Sequence, residues 1–131
     1  MTDEVEIFVC VSCAPRAENA AHLRPGAVLA RSLNARLTEL GAAGIRVREV
    51  ECLAVCKRPS TIAMTAAGKW TYVIGDLIAE EHVADIAAAA LAFQRSANGI
   101  VPWAERPVPF RKGVIARVPP LGFEQHATET A

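Results

Sequence analysis

Two short runs, Val5 to Val11 (Val-Glu-Ile-Phe-Val-Cys-Val) and Ile45 to Val50 (Ile-Arg-Val-Arg-Glu-Val), each lead into a cysteine, and a helix-patterned stretch lies between them. No other feature limits the fold as strongly. The first run is rich in β-branched and aromatic residues, and the second alternates apolar with charged residues, so both read as strands. Between them, Pro25-Gly26 leads into a helix from about Ala27 to Leu40, in which Leu29, Leu33, Leu37 and Leu40 share one face. Gly41 and Gly44 end it. A connection that contains a helix implies a βαβ crossover and parallel strands. Cys10 and Cys52 would then follow the C-terminal ends of neighbouring strands, the edge at which open α/β sheets hold their sites.

After the break at Arg58-Pro59, Ser60 to Thr65 and Trp70 to Ile74 read as a β-hairpin turned by Ala66-Ala67-Gly68-Lys69. Gly75-Asp76 closes it, with Asp76 read as a turn or capping residue. A second helix is expected from about Glu81 to Ala97, with Val83, Ile86, Ala90 and Phe93 on its apolar face and Asn98-Gly99 at its end. Phe8, Trp70, Tyr72 and Phe93 are read as core. The order β-α-β-β-β-α is that of a thioredoxin-like α/β domain with a mixed four-stranded sheet. Five of the eight prolines fall in residues 100–131, so that tail is expected to be irregular. Residues 1–100 are read as a metal-binding domain and 101–131 as an extension packed on the same domain, frayed at its end.

With 131 residues, 52% of them hydrophobic, the chain can bury about two-thirds of its unfolded surface, so its core needs no disulfide staples. Fourteen basic residues balance fourteen acidic ones, and no basic run exceeds Lys57-Arg58 or Arg111-Lys112, so the electrostatic footprint of nucleic-acid binding is missing. The first residues are acidic and no apolar stretch approaches the ~20 residues that span a bilayer, so a cytoplasmic protein is expected, with no membrane partner. Neither a P-loop, a dinucleotide fingerprint nor a Ser-His-Asp order occurs, and no catalytic residue is assigned.

The cysteines fall in two pairs, Cys10-Val11-Ser12-Cys13 and Cys52-Leu53-Ala54-Val55-Cys56. In a reducing cytosol such pairs point to metal binding or redox chemistry, and four thiolates suit zinc or a 2Fe-2S cluster. Zinc knuckles commonly use two intervening residues in both halves, whereas the second pair here has three, all apolar. Leu53, Ala54 and Val55 could supply the dry surroundings that tune a cluster's potential, and Lys57 and Arg58 could offset its negative charge. Cys10 and Cys13 could instead form an exchangeable dithiol, although Pro15 and Pro25 mark a loop between them and the helix N-terminus where such cysteines are activated. Paired cysteines can also be no more than small buried hydrophobes. His22, His82 and His126 are scattered and read as solvated side chains.

The segments Cys52-Leu53-Ala54-Val55-Cys56-Lys57-Arg58-Pro59, Ala66-Ala67-Gly68-Lys69-Trp70-Thr71-Tyr72, Gly75-Asp76-Leu77 and Trp103-Ala104-Glu105-Arg106-Pro107 resemble a bacterial family of predicted metal-binding proteins of unknown function. That family is similar to the thioredoxin-like 2Fe-2S ferredoxins. The resemblance runs from about Val5 to Pro120. It implies a one-electron carrier with a 2Fe-2S cluster held by Cys10, Cys13, Cys52 and Cys56, a redox partner protein, a homodimer, and a place beside cobalamin-related chemistry. In the ferredoxins the first two ligands are usually farther apart than Cys10 and Cys13.

Overall fold

The computed structural model describes residues 4–11, 25–51, 53–54 and 60–124. Its elements run β1 (Val5–Cys10), α1 (Pro25–Glu39), β2 (Ile45–Val50), β3 (Ile62–Ala66), β4 (Thr71–Ile74), α2 (Ala79–Arg95), a short 3₁₀ turn (Trp103–Glu105), α3 (Pro109–Lys112) and β5 (Val114–Val118). The strands form one mixed sheet in the order β2-β1-β3-β4-β5. β1 and β2 are parallel, in a register that sets Val5 beside Ile45 and Cys10 beside Val50. The other neighbours are antiparallel.

Strand alternation directs Val5, Ile7 and Val9 of β1, Ile62 and Met64 of β3, and Tyr72 and Ile74 of β4 to one face, where all are buried in a common core. α1 adds Leu29, Leu33 and Leu37, and α2 adds Ile86, Ala90 and Phe93. Both long helices therefore cover the same face. Each of the three leucines contributes about 1.5–3 kcal/mol by leaving water. Leu40, expected on this stripe, is 49% exposed because α1 ends at Glu39. There the chain turns away through Gly41 at φ 64°, with Ala42 N–H donating to the Leu37 carbonyl and Gly41 N–H to that of Thr38. The opposite face of the sheet is only partly covered. Phe8, expected in the core, is half-buried on it beside the exposed Glu6–Arg48 pair, whose closest atoms are 3.5 Å apart.

The sheet has five strands rather than the expected four, and the proline-rich tail is not irregular throughout. Val114–Val118 is a β-prone run whose flanking prolines lie outside it, so nothing prevents it from pairing along the free edge of β4. Other tail residues secure that edge. The Val101 N–H donates to Tyr72 Oη at 3.1 Å, and Arg106 donates to the Val101 carbonyl at 2.8 Å while its guanidinium lies over the Tyr72 ring. Trp70, also expected in the core, is half-buried beneath this tail, edge-on to Phe123 at 5.3 Å and with Arg117 over its ring. The end of the tail read as frayed, residues 125–131, lies outside the described residues.

At the edge of the sheet where β1 begins, the β3–β4 turn clasps the end of α2. Lys69 is only 6% exposed, and its ammonium donates to the carbonyls of Phe93 at 3.0 Å and Gln94 at 2.7 Å. It thereby satisfies acceptors that the last turn of a helix leaves open. Among the described residues, no helix is long and apolar enough to cross a membrane.

Candidate metal centre

Cys10 is the last residue of β1, an interior strand of the sheet, and it is 1% exposed. Its position follows from the ladders. The Cys10 N–H donates to the Thr61 carbonyl at 3.0 Å, just before β3, and the next N–H, of Val11, donates to the Val50 carbonyl of β2 at 3.0 Å. Parallel pairing with Val50 brings the end of β1 beside the chain that runs on to Cys52. The Cys10 Sγ accordingly lies 3.8 Å from the carbonyl oxygen of Glu51, to which the thiol donates. One cysteine is thus shown within a few ångströms of the residue that precedes another. Cys13, Cys52 and Cys56 themselves lie outside the described residues, as do Val55, Lys57 and Arg58.

α1 also bears on Cys10. The backbone of Gly26 approaches the Cys10 carbonyl so closely that a Cβ would overlap it. Backbone at this edge is unusual in another way. Ala54, Ser60 and Asp76, the three non-glycine residues with positive φ among those described, have φ of 63°, 60° and 60° and all lie in connections at the Cys10 end of the sheet. A left-handed conformation costs a non-glycine residue about 1–2 kcal/mol, and such strain gathers at functional sites. Ser60 is buried, and its carbonyl accepts the Leu77 N–H at 3.4 Å, tying the connection before β3 to the one after β4.

Of the apolar residues between Cys52 and Cys56, Leu53 is half-buried and Ala54 exposed, and Val55 lies outside the described residues. Asp76 takes the left-handed conformation common in turns, one of the two roles expected of it, and the N-cap of α2 is Ile78, whose side chain makes no capping bond. The Ile78 N–H donates instead to His82 Nδ1 at 2.9 Å, so His82 closes the first turn of α2 through its side chain rather than standing free in solvent. His22 and His126 lie outside the described residues, among which no three His, Cys, Asp or Glu side chains group as metal ligands.

Sequence reasoning placed Cys10 at a strand end and the second cysteine pair at the end of the neighbouring strand. It did not find the parts that hold Cys10, namely the carbonyls of Thr61 and Val50 and the bare Cα of Gly26. The two carbonyls leave no sequence signal, because any residue supplies one. Gly26 left a weak one, a glycine just inside a helix where alanine would be better.

Three comparisons bear on this site. The profile of a family described as "Protein of unknown function (DUF1636)" matches residues 7–120. A search of curated proteins found no match to the chain. Among solved structures, the chain is similar to a thioredoxin-like [2Fe-2S] ferredoxin from Aquifex aeolicus, with a TM-score of 0.59 and 15% identity, over 92% of this chain and 98% of that one. At that identity the likeness establishes a thioredoxin-like, ferredoxin-like fold.

Proposed function

Starting from the premise that the chain belongs to the DUF1636 family of proteins of unknown function, we propose that it is a one-electron carrier whose [2Fe-2S] cluster is held by Cys10, Cys13, Cys52 and Cys56. The observation that carries this reading is the parallel β1–β2 register, which sets the Cys10 Sγ 3.8 Å from the carbonyl of Glu51, next in sequence to Cys52. The donor set suits the group, because four soft thiolates are the common ligands of such a cluster. The close seat of the Cys10 backbone against Gly26 also suits it, since it leaves the strand end little freedom. When bound, the cluster supplies reversible single-electron oxidation and reduction.

The chain's own residues do the rest. Cys10 presents a buried sulfur from a backbone held by two hydrogen bonds, so little ordering remains to be done when ligation begins. Parallel pairing of β1 with β2 keeps Cys10 close to the chain leading to Cys52, which favours one shared site over two separate ones. The electron would pass to and from a redox partner protein, and the carrier itself needs no acid, base or nucleophile. A homodimer and a cobalamin-related acceptor belong to the same proposal.

Anaerobic purification, with an absorbance spectrum and iron, zinc and acid-labile sulfide assays on one sample, tests it. The expected result is a set of bands at roughly 400–460 nm with about two irons and two sulfides per chain. Serine at any one of the four cysteines should then lower cluster occupancy severely. Full iron content in Cys13→Ser would remove Cys13 from the ligand set. A colourless protein with stoichiometric zinc would overturn the proposal in favour of a metal-handling or structural zinc module. Thiol exchange that survives Cys52→Ser and Cys56→Ser, in a protein free of both metals, would leave a dithiol oxidoreductase acting through Cys10 and Cys13.

A further inference from the structure

Gly26, the second residue of α1, is buried, and its Cα faces the peptide that joins Cys10 to Val11. A Cβ there would overlap the Cys10 carbonyl oxygen and stand 2.9 Å from its carbon and 3.1 Å from the Val11 Cα. All three are backbone atoms, which cannot swing aside as the end of a flexible side chain can. Backbone freedom does not account for this glycine, since its φ lies outside the left-handed region, and glycine inside a helix is otherwise unfavourable. Close approach of one backbone to another accounts for it.

The same peptide is held on both flanks. The Cys10 N–H is bonded to Thr61 on the β3 side and the Val11 N–H to Val50 of β2. With α1 bearing on the Cys10 carbonyl, three elements enclose one peptide unit, and pressure from α1 that a shift of its first turn does not relieve would stretch those two hydrogen bonds or turn Cys10. The Sγ would move with it, away from the Glu51 carbonyl that now lies 3.8 Å off. We infer that Gly26 is a positioning residue for metal ligation: its missing side chain seats Cys10 in its ligating position before a metal arrives. This rests on the reading of Cys10 as a thiolate ligand, but not on which metal the site holds.

The test is a titration of the metal-free full chain with Co2+, followed by thiolate-to-cobalt charge-transfer absorbance, for the wild type, Gly26→Ala and Gly41→Ala. Co2+ reports thiolate ligation whether the resident group is iron–sulfur or zinc. Failure of the iron–sulfur reading, seen in the iron and sulfide assay, is therefore distinct from failure of this inference. Gly41→Ala strains a left-handed residue but places its Cβ within 4 Å of nothing, so it controls for lost stability. The expected result is a loss of about tenfold in Co2+ affinity for Gly26→Ala, the range found when groups supporting a ligand are altered, and no loss for Gly41→Ala. Equal losses in both variants, an unchanged affinity in Gly26→Ala, or a wild type that does not ligate Co2+ through sulfur would overturn it. Should Gly26→Ala fail to fold, amide exchange in the metal-free wild type decides the matter. Protected Cys10 and Val11 amides support a seat formed in advance, and free exchange of both overturns it.

Discussion

Lys69→Met should destabilise the protein strongly while leaving the cysteine edge untouched. Methionine keeps an unbranched stem of similar length but removes the ammonium donors from the Phe93 and Gln94 carbonyls, now 3.0 and 2.7 Å away. A hydrogen bond from a charged donor contributes about 1.5–3 kcal/mol, and a buried acceptor left without one costs about 1–3 kcal/mol. Two terms act the other way. The Gln94 contact is only partly buried, so water can replace it there, and methionine carries no charge to desolvate. The net loss should be about 2–3 kcal/mol, or about 6–12 °C in Tm for a chain of this length. Urea and thermal unfolding followed by far-ultraviolet circular dichroism would measure it, with Lys112→Met, at an exposed position, as the control. Lys69 belongs to the turn after Ala66, which pairs with Val5, five residues and about 17 Å along β1 from Cys10. Metal content should therefore match the wild type. A loss below about 0.5 kcal/mol, the size of an ordinary surface change, would refute the capping argument.

Leu33→Ala removes a fully buried side chain between α1 and the sheet and should cost about 2–5 kcal/mol in urea unfolding, more than the same change at the half-exposed Leu40. Ala54→Gly relieves a φ of 63°, and after the added entropy of an unfolded glycine it should stabilise by up to about 1 kcal/mol, read as a higher unfolding midpoint. A destabilised Ala54→Gly protein would mean that the methyl group contributes more than the strain costs.

Local periodicity carried most of the fold. Val5–Cys10 and Ile45–Val50 were legible as strands because β-branched residues and strict alternation identify them without reference to partners, and Leu29, Leu33 and Leu37 marked the buried stripe of α1 by spacing alone. The helix between the two strands then required them to be parallel, which brings Cys10 towards the start of the second cysteine pair. Other features depended on neighbours distant in sequence. Val114–Val118 became a strand because β4 had a free edge, and Lys69, a charged residue in a turn, was buried because the last carbonyls of α2 needed donors. Phe8 and Trp70 were apolar enough for the core, yet Phe8 lies on the face of the sheet opposite α1 and α2, and Trp70, just before β4, is covered only in part by Phe123 and Arg117 of the tail.

The sequence by itself determined the order of elements from β1 to α2, the strand end that carries Cys10 and the chemistry four thiolates can support, because each depends on residue type and short-range spacing. Tertiary structure alone decided how Cys10 is held. Its anchors are two backbone carbonyls, which every residue possesses, and the absence of one Cβ on α1, whose meaning depends on what lies against it. Hydrogen-bond geometry and excluded volume act through space, so these contacts could be identified only after β1, β2, β3 and α1 had been assembled.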